Sequence, residues 1–208
     1  MNFETPGKRA LDILDTAEDL KSLAEGKRPA EKRKLLTTSI VLSVMAIEAY
    51  TNALIWLKIK DDQRLLEKYT CIEGGERELN HHVGIRTKVK EWTRCLTGKS
   101  FGDDALIEKF GDLITLRNKI VHYQTKELDD EQLEEVKESI PYQLEEGGKK
   151  VKNQGKIERS IRELFFYDCL ATEITPEKTQ ESIETARGVM AELNKCYYDF
   201  IPPWLNNF

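Results

Sequence analysis

The chain has 208 residues, 39% hydrophobic and 33% charged, with a formal net charge of -5. That length suits one domain, and the composition excludes a collagen-like chain, a disulfide miniprotein and a largely disordered protein. The negative charge is local: residues 125–146 hold 2 basic and 9 acidic side chains, while residues 1–124 (21 against 19) and 147–208 (9 against 9) are near balance. No chain-wide basic surface attracts nucleic acid, so any RNA binding has to use a local patch. Cys71, Cys95, Cys169 and Cys196 form no Cys-x-x-Cys pair. With no signal-peptide pattern over Met1–Asp12, they read as reduced thiols of a cytoplasmic protein.

In chain order, the apolar spacing is helical. Ala10, Ile13, Leu14, Ala17, Leu20, Leu23 and Ala24 recur at i, i+3 and i+4, and Gly26 stops that helix. Pro29 fits the first turn of a second helix running to about Ile59. Its middle, Ile40–Leu57, is apolar nearly all round, which suits a membrane span or a helix enclosed by others. Glu48 at its centre decides for the enclosed helix, because a mid-bilayer carboxylate costs about 2–4 kcal/mol. No membrane association is expected.

A short helix is expected over Asp62–Tyr69, then a loop from Gly74–Gly75 to His82. A basic amphipathic helix follows over Val83–Leu96, with Val83, Val89, Trp92 and Leu96 inside. Trp56 and Trp92 read as core. Asp103 is a good N-cap for a helix to about Tyr123, with Leu106, Ile107, Phe110, Leu113, Ile114, Ile120 and Val121 as its apolar side. Residues 125–156 read as an exposed polar insertion, with a short helix at Asp130–Ser139 or a hairpin at 142–158. Helical spacing returns over Ile157–Leu170. Thr175-Pro176-Glu177 opens a last helix reaching about Phe200, ended by Pro202-Pro203. The expected architecture is a single all-α domain over 1–208, with no sheet larger than two short strands.

Three polar groups interrupt the apolar pattern of the helix after Asp103: Arg117, Asn118 and His122, in LITLRNKIVHY. Asn118 and His122 are one turn apart on the same face. Arg117 and His122 are about 140° apart at about 100° per residue, so only a long arginine shares a cleft with that histidine. A titratable imidazole, a permanent cation and a neutral amide suit phosphodiester cleavage by an adjacent 2′-hydroxyl. One group moves the proton and another stabilises charge on the pentacovalent oxygens. Such chemistry needs no metal and no cofactor. Spacing by itself does not separate this from a helix whose arginine and histidine belong to an internal network.

LITLRNKIVHY, with VLSVMAIEAYTNALI upstream, resembles the HEPN superfamily. The resemblance implies an all-α bundle with two long central helices and an R-x-x-x-x-H motif, often with Asn directly after the Arg. Arg117, Asn118 and His122 match those positions. It further implies a metal-independent endoribonuclease, giving 2′,3′-cyclic phosphate ends, with its site built across a homodimer. Members occur as toxins paired with antitoxins and in antiviral defence, and others are silent modules that bind RNA, a nucleotide or a protein partner. Toxins controlled by a nucleotidyltransferase often carry R-x-x-x-x-H-x-Y. Here Tyr123 follows His122 directly and Gln124 stands at the tyrosine position, so tyrosine modification is not implied.

Four further features bear on the site. Glu48 needs a partner if buried, and Arg117 is the expected one across the central helices, either as a structural ion pair or as support for the catalytic arginine. Asn52, one turn on, is expected to hydrogen bond between helices. His81 and His82 sit in a polar loop with no cysteine or histidine at metal-ligand spacing, so no metal site is expected there. Lys149, Lys150 and Lys152, with Lys156, form a weak candidate for phosphate contact.

Overall fold

A computed structural model describes residues 6–73, 76–122 and 173–200. The described chain is predominantly helical. Helix α1 spans Pro6–Leu23, α2 Pro29–Ile59 and α3 Gln63–Tyr69. Strands β1 (Thr70–Glu73) and β2 (Glu76–Leu79) form an antiparallel hairpin, in register Cys71 with Glu78 and Ile72 with Arg77. A helical run then passes from α4 (Ile85–Thr87) through a π-helical turn (Lys88–Trp92) into α5 (Thr93–Thr97). Helices α6 (Asp104–His122) and α7 (Pro176–Tyr197) follow among the described residues, with a 3-10 turn at Tyr198–Phe200.

The helix boundaries follow from local chemistry. Gly26 and Gly98 both take φ 73°, a left-handed conformation that costs glycine little and ends α1 and α5. Pro29 opens α2, where a missing N–H leaves nothing unpaired. Asp62 Oδ1 accepts from the Arg64 and Leu65 amides at 2.9 and 3.2 Å, and Asp103 Oδ1 from the Leu106 amide at 2.8 Å. Thr175 Oγ1 accepts from the Lys178 amide at 3.1 Å. Each such cap contributes about 1 kcal/mol.

Helix α2 is the hub, packed against α1, α5, α6 and α7. Ile40, Ile47, Ile55 and Ile59 are fully buried on it, facing Leu14 of α1, Phe110 and Leu113 of α6, and Ile183, Val189 and Leu193 of α7. Each such burial is worth about 1.5–3 kcal/mol. Ala10, Ala17 and Ala24 let α1 approach closely enough for Ser39 Oγ to donate to the Ala17 carbonyl at 2.6 Å. Among the described residues α2 is the one helix long and apolar enough to cross a membrane, and 56% of its most apolar window is buried inside the bundle.

The structure revises several expectations. Glu76–Leu79 is a strand paired with Thr70–Glu73 where a loop was expected from Gly74 onward, because the alternation in each strand covers only four residues and is too short to recognise. Leu23 is 57% exposed: the buried stripe of α1 runs through Ala10, Leu14, Ala17 and Ala24, and Leu23 falls off it. Trp56 is 37% exposed and so is not core, although Trp92 packs edge-on against Tyr69 with ring centroids 4.8 Å apart. The helix expected over Val83–Leu96 starts only after Gly84 and contains the π turn. The expected insertion at 125–156, the pattern over Ile157–Leu170 and Pro202-Pro203 lie outside the described residues.

Candidate functional site

Helix α6 carries the R-x-x-x-x-H motif on its last two turns. Phe110, Leu113 and Leu116 are buried and anchor the helix to the core. Arg117 follows this apolar face and Asn118 begins the next one, and both are half-buried. Arg117 Nη1 donates to Asn118 Oδ1 at 2.9 Å. This bond ties the guanidinium to Asn118, which stands one helical turn before His122. Arg117 Nε is buried without a hydrogen-bond partner, and among the described residues only Nη1 of the guanidinium has one. An N–H buried in that state costs about 1–3 kcal/mol, a deficit that an anion beside the guanidinium reduces. His122 is the last residue of α6; its side chain lies outside the described atoms.

Glu48 does not reach Arg117. No ion pair joins them among the described residues, and Glu48 instead acts electrostatically on Lys88. The reason is a group that sequence patterning overlooked. Lys88, at the start of the π turn, is only 2% exposed. Its Nζ donates to Asn52 Oδ1 at 3.1 Å and lies 5.8 Å from the centroid of the Trp92 ring. Asn52 therefore makes the interhelical hydrogen bond expected of it. Burial pulls the Lys88 pKa down from the ordinary lysine value, with Glu48 and then Cys71 opposing the shift. In the π turn the Thr93 amide donates to the Lys88 carbonyl five residues back, the wider ring that accommodates this inward lysine. The signal in the sequence was a lysine directly before the buried Val89, with Glu48 and Asn52 one turn apart on a helix otherwise apolar.

Beside the motif, a cleft of about 470 Å³ is lined by Asp112, Thr115, Leu116, Lys119, Glu173, Thr175 and Lys178. Lys119 Nζ spans its floor to Glu173, at 2.9 and 3.0 Å from the two carboxylate oxygens. Thr115 and Lys119 lie on the side of α6 that continues to His122. His81 and His82 are exposed and their rings lie 4.1 Å apart. His81 is close to Glu73 and Glu78, with one potential ligand atom from each lying within 4.8 Å of the others. Lys149, Lys150 and Lys152 lie outside the described residues.

No family model, curated protein or solved structure matches the chain. The case for a function therefore rests on the side chains of α6 and on the wording of the motif they form.

Proposed function

We propose that the chain is an RNA-processing helical bundle of the HEPN type, with two central helices α2 and α6. More particularly, we read it as a metal-independent endoribonuclease of the cytoplasm, active as a homodimer and serving as a toxin or antiviral-defence effector held by a cognate partner. The observation that carries this reading is the Arg117–Asn118 hydrogen bond. The Arg117 guanidinium is held by Asn118 through Nη1, one turn before His122, and its Nε is buried without an acceptor among the described residues.

In this mechanism the RNA's own 2′-oxygen attacks the adjacent phosphorus. His122 takes the 2′-hydroxyl proton or delivers one to the leaving 5′-oxygen. The bond from phosphorus to that oxygen breaks, leaving a 2′,3′-cyclic phosphate and a 5′-hydroxyl. Arg117 holds the charge that builds on the non-bridging oxygens, and Asn118 positions Arg117. One chain brings one imidazole to the motif, so the symmetric mate supplies the second proton carrier.

RNA cleavage by the wild type and by His122→Ala in EDTA tests the reading. Wild-type cleavage should persist, and loss of the imidazole should slow it by about 10²–10⁴-fold. Equal rates for the two proteins would refute the assignment. RNA retained but uncut by the wild type would instead identify a silent binding module.

A further inference from the structure

The hairpin gathers chemistry that neither strand shows alone. Cys71 and Glu73 alternate onto one face of β1, and the register brings Glu78 of β2 opposite Cys71 on that same face. Ile72 and Arg77 point to the other face, where Arg77 Nη1 donates to Thr70 Oγ1 at 3.3 Å. Arg77 is therefore turned away from both carboxylates. The chain leaves β2 and returns His81 over the acidic face. One ligand atom each from Glu73, Glu78 and His81 lies within 4.8 Å of the others. His81 Nδ1 is 3.5 Å from Glu73 Oε2 and 4.0 Å from Cys71 Sγ.

We propose that Glu73, Glu78, His81 and Cys71 form a binding site for a zinc-class divalent cation. Mixed nitrogen, sulfur and oxygen donors are the ligand set of such ions, whereas calcium and magnesium take oxygen alone. Zinc bonds of about 2.0–2.3 Å at tetrahedral angles put ligand atoms about 3.3–3.8 Å apart. Glu73, Glu78 and His81 are already gathered within 4.8 Å of one another, whereas Cys71 Sγ, 4.0 Å from His81 Nδ1, lies outside that group and has to swing inward to become the fourth ligand. Two carboxylates so near each other repel, and among the described residues no lysine or arginine pairs with either. The three outer ligands are solvent-exposed, so the ion has an open path of entry.

Such an ion would tie β1, β2 and the segment before α4 together, at a hairpin that two four-residue strands alone hold weakly. The site is remote in sequence from the α6 motif and does not depend on the nuclease reading. Calorimetric titration of the metal-free full chain with Zn²⁺ tests it, alongside Co²⁺ absorption. The expected result is one ion per chain, an affinity at least about 10-fold weaker in His81→Ala and in Glu78→Gln, and a thiolate-to-cobalt absorption band that disappears in Cys71→Ser. Circular dichroism should be unchanged in all three variants, since these side chains contribute little to the core. No stoichiometric binding by the wild type, or equal binding by His81→Ala, would overturn the site. A wild-type Co²⁺ spectrum without the thiolate band would overturn Cys71 as a ligand.

Discussion

Arg117 donates from Nη1 to Asn118 Oδ1 at 2.9 Å, so the cation of the motif is steered by its own neighbour in the chain. Consecutive helix residues point about 100° apart, and only the length of the arginine side chain makes the contact reachable. The asparagine has a specific job here: a neutral acceptor orients the guanidinium without neutralising it.

Substitution of Asn118 separates orientation from charge. Asn118→Ala should cost about 0.5–1.5 kcal/mol of stability and lower RNA cleavage, because the guanidinium loses its guide. Asn118→Asp should keep or raise the melting temperature through a charge-assisted bond, yet suppress cleavage further than Asn118→Ala, because a carboxylate competes with the phosphate for Arg117. Thermal melts and cleavage rates on the same preparations check both. Faster cleavage by Asn118→Asp than by Asn118→Ala would contradict the steering role.

Val121 lies directly before His122 and is 41% exposed, an apolar side chain at solvent beside the motif. A homodimer with the motifs near its two-fold axis would cover it. Sedimentation should show a dimer at micromolar concentration, and Val121→Glu should shift it to monomer and abolish cleavage with the helical signal intact. A wild-type monomer that cuts RNA would disprove the shared site.

Lys88 and Glu48 should matter for stability and not for catalysis. Lys88→Ala removes a buried stem and strands Asn52 Oδ1, at a cost of about 2–4 kcal/mol. Lys88→Met keeps the volume and removes the buried charge but strands the same Asn52 oxygen, so it should cost less than Lys88→Ala, about 1–2 kcal/mol. The folded-state pKa of Lys88 is lowered, so the unfolded chain holds that proton more tightly. Stability from this group therefore rises with pH on the approach to the ordinary lysine value of 10.5, and Lys88→Met should lack that rise in urea melts. Glu48→Gln should leave RNA cleavage unchanged, since Glu48 makes no ion pair with Arg117; a large loss of activity would restore a link between them.

Tyr197 should act with the opposite sign. Burial pushes its phenol from 10.0 up to about 12, with the nearby Thr93 side chain opposing the shift in part. The unfolded chain ionises first, so stability should fall as pH rises from about 10 to about 12, by up to about 2–3 kcal/mol. Denaturant melts of wild type and Tyr197→Phe over that range check this: the difference between them should shrink or reverse as pH rises. A constant difference would show that the phenol does not titrate as a buried group.

The sequence by itself determined the helices. Pro29, Asp103 and the Thr175-Pro176 pair mark starts, and Gly26 marks a stop, through backbone chemistry confined to a few residues. The same local logic put Arg117, Asn118 and His122 on one helix and made Asn52 an interhelical donor's partner. Only the tertiary structure decided which charge meets which. Glu48 faces Lys88 because the π turn presents that lysine to α2, and a one-residue widening of a helix leaves no mark in apolar spacing. Likewise Cys71, Glu78 and His81 are brought together by the register of two paired strands, a pairing between positions that no period along a single strand records. Caps and periodicity are properties of neighbours in the chain, whereas the partners of charged groups depend on how distant segments are laid against each other.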